Sequence, residues 1–261
     1  MSIIEGEKMG IVLALIMATF IGGVAGYLGT LMLTKRMALV AGPLGHLTLP
    51  GIALGLLYGF DISLGAFLFV ILGVALIWLF EIRTKLPMEA LTAIVFASGV
   101  AITFLFLPEE QTIPALIGDI SQISIPVATF TVFVSFIVFL IIRTIYSKMI
   151  LLSISEDLAK VNGIDVKKYN LVYLMCVAIV VSIGIRVVGG LMTAALVAIP
   201  ACTSRNLTKS LFQYSFGGLM FGGLSSFLGI LGFRFTLIPA GILIILTSTL
   251  FFLASLIFKR R

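Results

Sequence analysis

The sequence predicts an all-α fold, a polytopic integral membrane bundle of 8–9 transmembrane helical segments. The first observation is composition: 61% of the 261 residues are hydrophobic and 11% are charged, and the mean hydropathy is +1.26. The second is a series of apolar runs near the roughly 20 residues that a helix needs to cross the hydrocarbon layer. A soluble core is therefore excluded, and a single membrane domain over residues 1–261 is the simplest organisation.

Nine apolar segments are the candidate spans. The seventh is short and rich in Gly and Ala, so it is predicted to be a half-helix buried among its neighbours. In chain order the segments are Gly10–Leu33, Ala38–Tyr58, Leu64–Phe80, Glu89–Leu107, Ile125–Ile145, Leu171–Ile185, Val188–Thr203, Leu211–Phe233 and Leu237–Phe258.

The residues before the first segment do not resemble a signal peptide. Glu5 and Glu7 outweigh Lys8, whereas a signal peptide begins with positive charge. The first segment is therefore expected to be retained as a span. Cys176 and Cys202 both fall in apolar segments, so no disulfide framework is expected.

The distribution of basic residues predicts the orientation of the chain. With the N-terminus outside the cell membrane, alternation of the nine segments places 14 of the 17 Lys and Arg residues in inner loops. Only Lys8, Arg186 and Arg234 remain outside, which follows the positive-inside rule and puts the C-terminus in the cytoplasm. Topology thus explains the pI of 9.5, and no nucleic-acid partner is expected.

Several segments carry glycine at intervals that suit helix packing. Such stripes let helix backbones approach closely within a membrane. Packing inside one subunit is favoured over a dimer contact or a mobile seam. The glycines are Gly22 and Gly26, then Gly51, Gly55 and Gly59, and finally Gly218 and Gly222.

The longest outer segment is Pro108–Ser124, which contains Glu109, Glu110 and Asp119. Long loops often have a function, so this one could receive a partner or attract cations. A simple solvated connection fits equally well.

The Ser153–Tyr169 stretch is the one long run that carries both signs of charge, and it is predicted to form a short, water-exposed helix on the cytoplasmic side. Ser155 stands at the N-cap, Glu156 and Asp157 follow in the first turn, and Gly163 can end the helix in a left-handed conformation. About two turns of helix are too short to be stable alone. The flanks or a partner must therefore hold it, unless the stretch is only a solvated loop.

The second segment contains His46, the only histidine of the chain, between Pro43 and Pro50. An ionisable group at membrane depth is a functional candidate, and a neutral imidazole is a common ligand of divalent transition metals. The alternative is a structural histidine bonded to a backbone carbonyl beside the break that the prolines make. On composition alone the structural interpretation is slightly favoured.

No catalytic apparatus is visible in the sequence, so the chain is not expected to be an enzyme. A phosphate-binding loop needs Gly-Lys followed by Ser or Thr, and the chain contains no Gly-Lys dipeptide. The neighbouring carboxylates Glu109 with Glu110 and Glu156 with Asp157 lie in surface segments.

Motifs along almost the whole chain resemble those of the permeases of zinc, manganese and iron ATP-binding-cassette importers. The order of the motifs matches the family and is more specific than any one of them. They are Lys35-Arg36-Met37, Leu44-Gly45-His46, Leu49-Pro50-Gly51, Leu116-Ile117-Gly118-Asp119-Ile120, Ser155–Ile164, Val188-Gly189-Gly190-Leu191, Ile199–Arg205 and Ile238-Pro239-Ala240-Gly241.

The resemblance implies a type II importer permease that forms a homodimer in membrane lipid around a central path. Its implied partners are cytoplasmic ATPase subunits, which use the ATP, and an extracytoplasmic metal-binding protein; the chain itself needs no cofactor. The resemblance also implies a coupling helix, formed by Glu156, Asp157, Leu158, Ala159, Gly163 and Ile164, that seats in the ATPase.

One position departs from the family pattern. Metal-transporting members carry aspartate four residues before the histidine, and here that position is Gly42, with Gly45 in place of serine or alanine. His46, the candidate metal ligand, thus lacks its usual anionic partner. An importer of a non-metal solute on the same scaffold therefore stays open. A self-sufficient secondary transporter is less favoured because buried charges are scarce. A membrane anchor is less favoured because it would not explain the charged helix between spans together with the break at His46.

Overall fold

A computed structural model describes residues 2–35, 41–60, 62–84, 86–106, 124–189, 193–236 and 238–258. Within these ranges the chain forms α-helices and short connections, without strands. The helices are α1 Ser2–Thr34, α2 Ala41–His46, α3 Thr48–Tyr58, α4 Ile62–Thr84, α5 Met88–Phe106, α6 Ile125–Ile154, α7 Glu156–Val161, α8 Val166–Val188, α9 Thr193–Leu207, α10 Leu211–Thr236 and α11 Ala240–Ile257.

The helical membrane bundle predicted from the sequence is confirmed. In the described residues, six helices are long and apolar enough to cross a membrane, and a seventh apolar helix, Glu89–Leu105, is shorter. The second predicted segment becomes the broken pair α2 and α3, and the seventh becomes the 15-residue helix α9. The count of 8–9 spans is compatible with this set of helices.

The boundary between the sixth and seventh predicted segments lies further along the chain than expected. Helix α8 continues through Arg186 to Val188, and Gly189 ends it with φ 82° while its N–H bonds the carbonyl of Ile185 at 2.8 Å. Glycine adopts this positive φ without the steric cost that a Cβ would bring. The sequence prediction had assigned Arg186 to an outer loop, whereas the structure places it in the last turn of α8.

Helix α1 is the central element of the bundle and packs against α6, α8, α9 and α10. Met17 and Leu28 on this helix are fully buried in the main hydrophobic core. Its glycines face α10: a methyl group at Gly26 would collide with the carbonyl of Gly218, and one at Gly22 with Ser226 and the carbonyl of Gly222. Gly22, Gly26, Gly218 and Gly222 therefore serve packing inside the subunit, as the sequence suggested, whereas Gly59 of the other predicted stripe has open space around it.

Large apolar side chains cover much of the outer surface. Phe104, Phe130, Phe133 and Leu250 are each between 61% and 65% exposed. This surface suits contact with lipid, because lipid tails solvate apolar side chains that water would not. The predicted outer loop lies outside the described residues up to residue 123, so its role stays a prediction.

Candidate functional site

The second span is interrupted directly after His46. Pro50 has no backbone N–H, so it cannot donate the helical bond to the carbonyl of His46 four residues earlier. Leu47 therefore lies between two short helices, α2 and α3, and its N–H bonds the carbonyl of Pro43 at 3.0 Å. The hydroxyl of Thr48 donates to the carbonyl of Gly45 at 2.5 Å, so side-chain bonding partly replaces helical bonding at the break.

The break is held in place by the side chain of Leu47, which is 4% exposed. It lies against Gly73 of α4 and Gly99 of α5, where an added Cβ would approach the leucine methyl groups within 2.5 Å and 2.7 Å. Next to it, Gly51 of α3 and Gly65 of α4 contact each other so closely that neither could carry a side chain. Glycines thus fix the position of α2 and α3 against α4 and α5.

His46 is half-buried at the end of α2, and its ring packs on Phe96 of α5 with centroids 5.2 Å apart. Gly42 lies one helical turn earlier in α2, on the same side of the helix, but it contributes no side chain. In the part of the chain that the structure describes, no group of three His, Cys, Asp or Glu residues could hold a metal. One subunit thus offers a single imidazole at this point.

The charged stretch forms the short helix that the sequence predicts. Ser155 caps α7 and its Oγ accepts from the N–H of Leu158 at 3.3 Å. Gly163 has φ 73°, and its N–H bonds the carbonyl of Lys160 at 2.9 Å. Asp165 then caps α8 by accepting from the N–H of Lys168 at 3.2 Å. Local signals in the sequence therefore set both ends of this segment.

The six predicted coupling residues divide between two faces of α7 and the turn after it. Ala159 is fully buried, and Ile164 packs against the core. Gly163 makes the turn. Glu156, Asp157 and Leu158 are exposed, beside exposed Ile154 and Val161.

This exposed surface combines apolar and acidic side chains. Val161 is 85% exposed and Leu158 is 53% exposed, an arrangement more typical of a protein interface than of a solvated helix. Asp157 and Lys160 form an exposed ion pair at 3.5 Å, which contributes little to stability. Among the helices that the structure describes, α7 packs along its inner side on α6 and α8.

A polar cluster that the sequence does not predict lies beside α7. Lys35, at the end of α1, donates from Nζ to Oδ1 of Asn170 in α8 and lies 5.9 Å from the ring centroid of Tyr173. Asn170 also faces the carboxylate of Glu81 in α4. Burial lowers the pKa of Lys35, opposed by the negative charges of Glu81 and Glu156. These residues are far apart in sequence, so no local pattern connects them.

A family model matches nearly the entire chain: the ABC 3 transport family, over residues 8–259. The manganese import system permease protein ScaB of Streptococcus parasanguinis is 28% identical over 247 residues, covering 93% of this chain and 88% of its own length. The high-affinity zinc uptake system membrane protein ZnuB of Haemophilus influenzae is 26% identical over 260 residues, covering 96% and 95% respectively.

A solved structure has the same fold. It is described as PsaBC from Streptococcus pneumoniae in complex with Fab, and one of its chains superimposes with a TM-score of 0.80 and 27% sequence identity. The match covers 93% of this chain and 89% of that chain.

Proposed function

Because this chain belongs to the ABC 3 transport family, it is a membrane-spanning transport permease, and we propose that it imports a divalent metal ion. The metal is manganese, zinc or iron, and a separate ATPase subunit supplies the energy. The observation that carries this proposal is the similarity over 93% and 96% of the chain to permeases named for manganese and zinc uptake.

His46 is the residue of this subunit that contacts the metal. Its place at the junction of α2 and α3 supports this role. Pro50 cannot donate the helical bond to the carbonyl of His46, and a carbonyl freed in this way at membrane depth lines a cavity or is buried in protein. A second copy of the chain supplies a second imidazole, so the homodimer brings two His46 side chains to a shared path. Imidazole is a suitable ligand for zinc and iron, whereas manganese prefers carboxylate, carbonyl or water oxygens.

Helix α7 is the contact through which the ATPase acts. The role rests on the exposed residues Glu156, Asp157 and Leu158, with Ala159, Gly163 and Ile164 attaching the helix to the bundle. Closure of the ATPase would displace α7 and α8 together, since only residues 162–165 separate them. The predicted orientation, with α7 in the cytoplasm and the N-terminus outside, rests on the distribution of Lys and Arg.

An importer of a non-metal solute is the second candidate function. Gly42 is the observation that favours it, because a carboxylate at this position would face the same side of α2 as His46. A solute that needs no anionic ligand would make an aspartate unnecessary.

Uptake by purified components tests the proposal. The permease is reconstituted in vesicles with its ATPase and solute-binding protein, and entry of Mn²⁺, Zn²⁺ and Fe²⁺ is measured with and without ATP. We expect uptake of at least one metal that requires both ATP and the ATPase subunit. Uphill uptake by the permease alone, or ATP-driven transport of none of the three metals, contradicts the proposal.

A further inference from the structure

A cavity of about 340 Å³ lies between the proposed coupling helix and the ends of the spans. Glu81 of α4 lines one side of it, Glu156 and Lys160 of α7 line the other, and Asn170 of α8 lies on its wall. Water can fill a polar cavity of this size. Helix α7 therefore does not pack tightly on α4 at this point, and a displacement of α7 meets no close-packed side chains there.

Lys35 is bonded to Asn170, a residue of the cavity wall. Its ammonium group donates to Asn170 of α8 and faces the negative charges of Glu81 and Glu156, from α4 and α7. The oxygen of the Asn170 amide accepts from Lys35, which leaves its amide nitrogen to face Glu81. Lys35 is half-buried, so it has less water to replace these partners than a fully exposed lysine would.

Lys35 is also joined to the broken span by the chain itself. Its backbone N–H bonds the carbonyl of Leu31 at 2.9 Å and so continues the last turn of α1. Only residues 36–40 separate it from α2, whose last residue is His46. Helix α2 in turn packs against α5, α8 and α9.

From this geometry, and on the basis of the proposed function, we infer that Lys35 is a positioning residue for transport. It ties the end of α1 to α8 beside the coupling helix, so that a displacement of α7 and α8 by the ATPase moves the end of α1 and the broken span that follows. Its hydrogen bond to Asn170 makes the ends of α1 and α8 move as one unit.

The test compares Lys35→Met with Lys148→Met in the complete transporter. Lys148 is a matched control because its Nζ also donates to α8, to the hydroxyl of Tyr169 at 2.6 Å, but from an exposed position. We expect Lys35→Met to assemble and hydrolyse ATP while the number of ATP molecules used per metal ion imported rises at least fivefold. Lys35→Arg and Lys148→Met should keep the ratio of the unaltered protein.

A spin label at Leu57→Cys in α3, a position that is 52% exposed, gives a readout that needs no metal, in a chain whose Cys176 and Cys202 are replaced by Ser. Its mobility should change on ATP binding in the unaltered complex and in Lys148→Met, and should not change in Lys35→Met. An unchanged ratio together with a normal label response in Lys35→Met overturns the inference. A complex that imports no metal contradicts the proposed function instead, since the label response tests Lys35 independently.

If Lys35→Met fails to assemble, Asn170→Leu takes its place, because it removes the acceptor while keeping the cation. Loss of the label response in this variant supports the inference. A normal label response in this variant overturns it.

Discussion

His46 occupies the one point where the second span is interrupted, and its ring is fixed against Phe96. A histidine needed only for packing could be replaced by another ring or an apolar side chain of similar size. A histidine that contacts the transported metal must provide a nitrogen ligand. The two roles therefore predict different outcomes for substitutions at His46 and at Phe96.

His46→Ala is expected to lower metal uptake at least tenfold while the permease still assembles as a dimer. The reason is loss of the only imidazole, which no neighbouring side chain of the described residues replaces. Uptake in vesicles and the size of the purified complex are measured together. Phe96→Leu is the control, since it removes the ring contact and keeps the imidazole.

Should His46→Ala transport at the normal rate, the structural interpretation of this residue would be correct. Should Phe96→Leu lose uptake as fully as His46→Ala, packing rather than a metal ligand would explain both.

Caps and turns that depend on neighbouring residues could be predicted from the sequence. Contacts between residues that are far apart in the sequence could not. Ser155 and Gly163 act through bonds to the next few residues, so their cap and turn follow from residue type. Lys35 and Asn170 are 135 positions apart, and their contact exists only because α1 and α8 pack side by side. No pattern in the sequence marks that pair.

At the scale of elements, α7 is a helix with a buried inner side and a free outer one. Two turns of helix are marginal without support, and here Ala159 supplies the buried contact. The exposed side carries acidic and apolar residues whose replacement leaves the buried contact of Ala159 in place, although Glu156 also lines the cavity beside α4. Partner binding and folding can therefore be separated by mutation.

The double substitution Glu156→Lys with Asp157→Lys is expected to reduce recovery of the ATPase with the purified permease about tenfold. Two reversed charges at the predicted interface oppose the partner, whereas exposed charges add little to stability. Recovery is measured by co-purification, and thermal unfolding of the permease reports its fold.

Glu89→Lys is the matched control for this pair, because it reverses an exposed carboxylate in the first turn of α5. A second comparison uses Gly163→Ile and Gly59→Ile, two glycines with φ 73° and 69° and open space around them. Both suffer the same backbone strain, of roughly 1–2 kcal/mol. Only Gly163→Ile should weaken ATPase recovery, and equal recovery in all variants would argue against a coupling role for α7.

Helix positions were predictable from hydropathy, but two helix ends were not. Apolar runs located the spans because lipid demands apolar side chains along a fixed length. The end of α8 depends instead on the positive φ of Gly189. The surrounding run of apolar residues and consecutive glycines does not indicate which residue adopts this conformation. The break at Leu47 was indicated by Pro43 and Pro50, although its fixation by Gly73 and Gly99 is visible only in three dimensions.

At the scale of the whole molecule, the ends of several helices form one polar end of the bundle. Lys35, Glu81, Asn170 and α7 lie together there, so the ends of α1 and α4 and the start of α8 share one side. The alternation of predicted spans assigns most of the Lys and Arg residues to this same side. By the positive-inside rule, this side is predicted to face the cytoplasm. Transport driven by a cytoplasmic ATPase requires this orientation.

The most direct test is the accessibility of a cysteine on α7 in living cells. Asp157→Cys is made in a chain whose Cys176 and Cys202 are replaced by Ser, with Tyr58→Cys, 78% exposed at the end of α3, as the control for the outer side. A maleimide that cannot cross membranes should label Tyr58→Cys in intact cells, but Asp157→Cys only after the membrane is permeabilised. Labelling of Asp157→Cys in intact cells would place α7 outside and contradict its coupling to an ATPase.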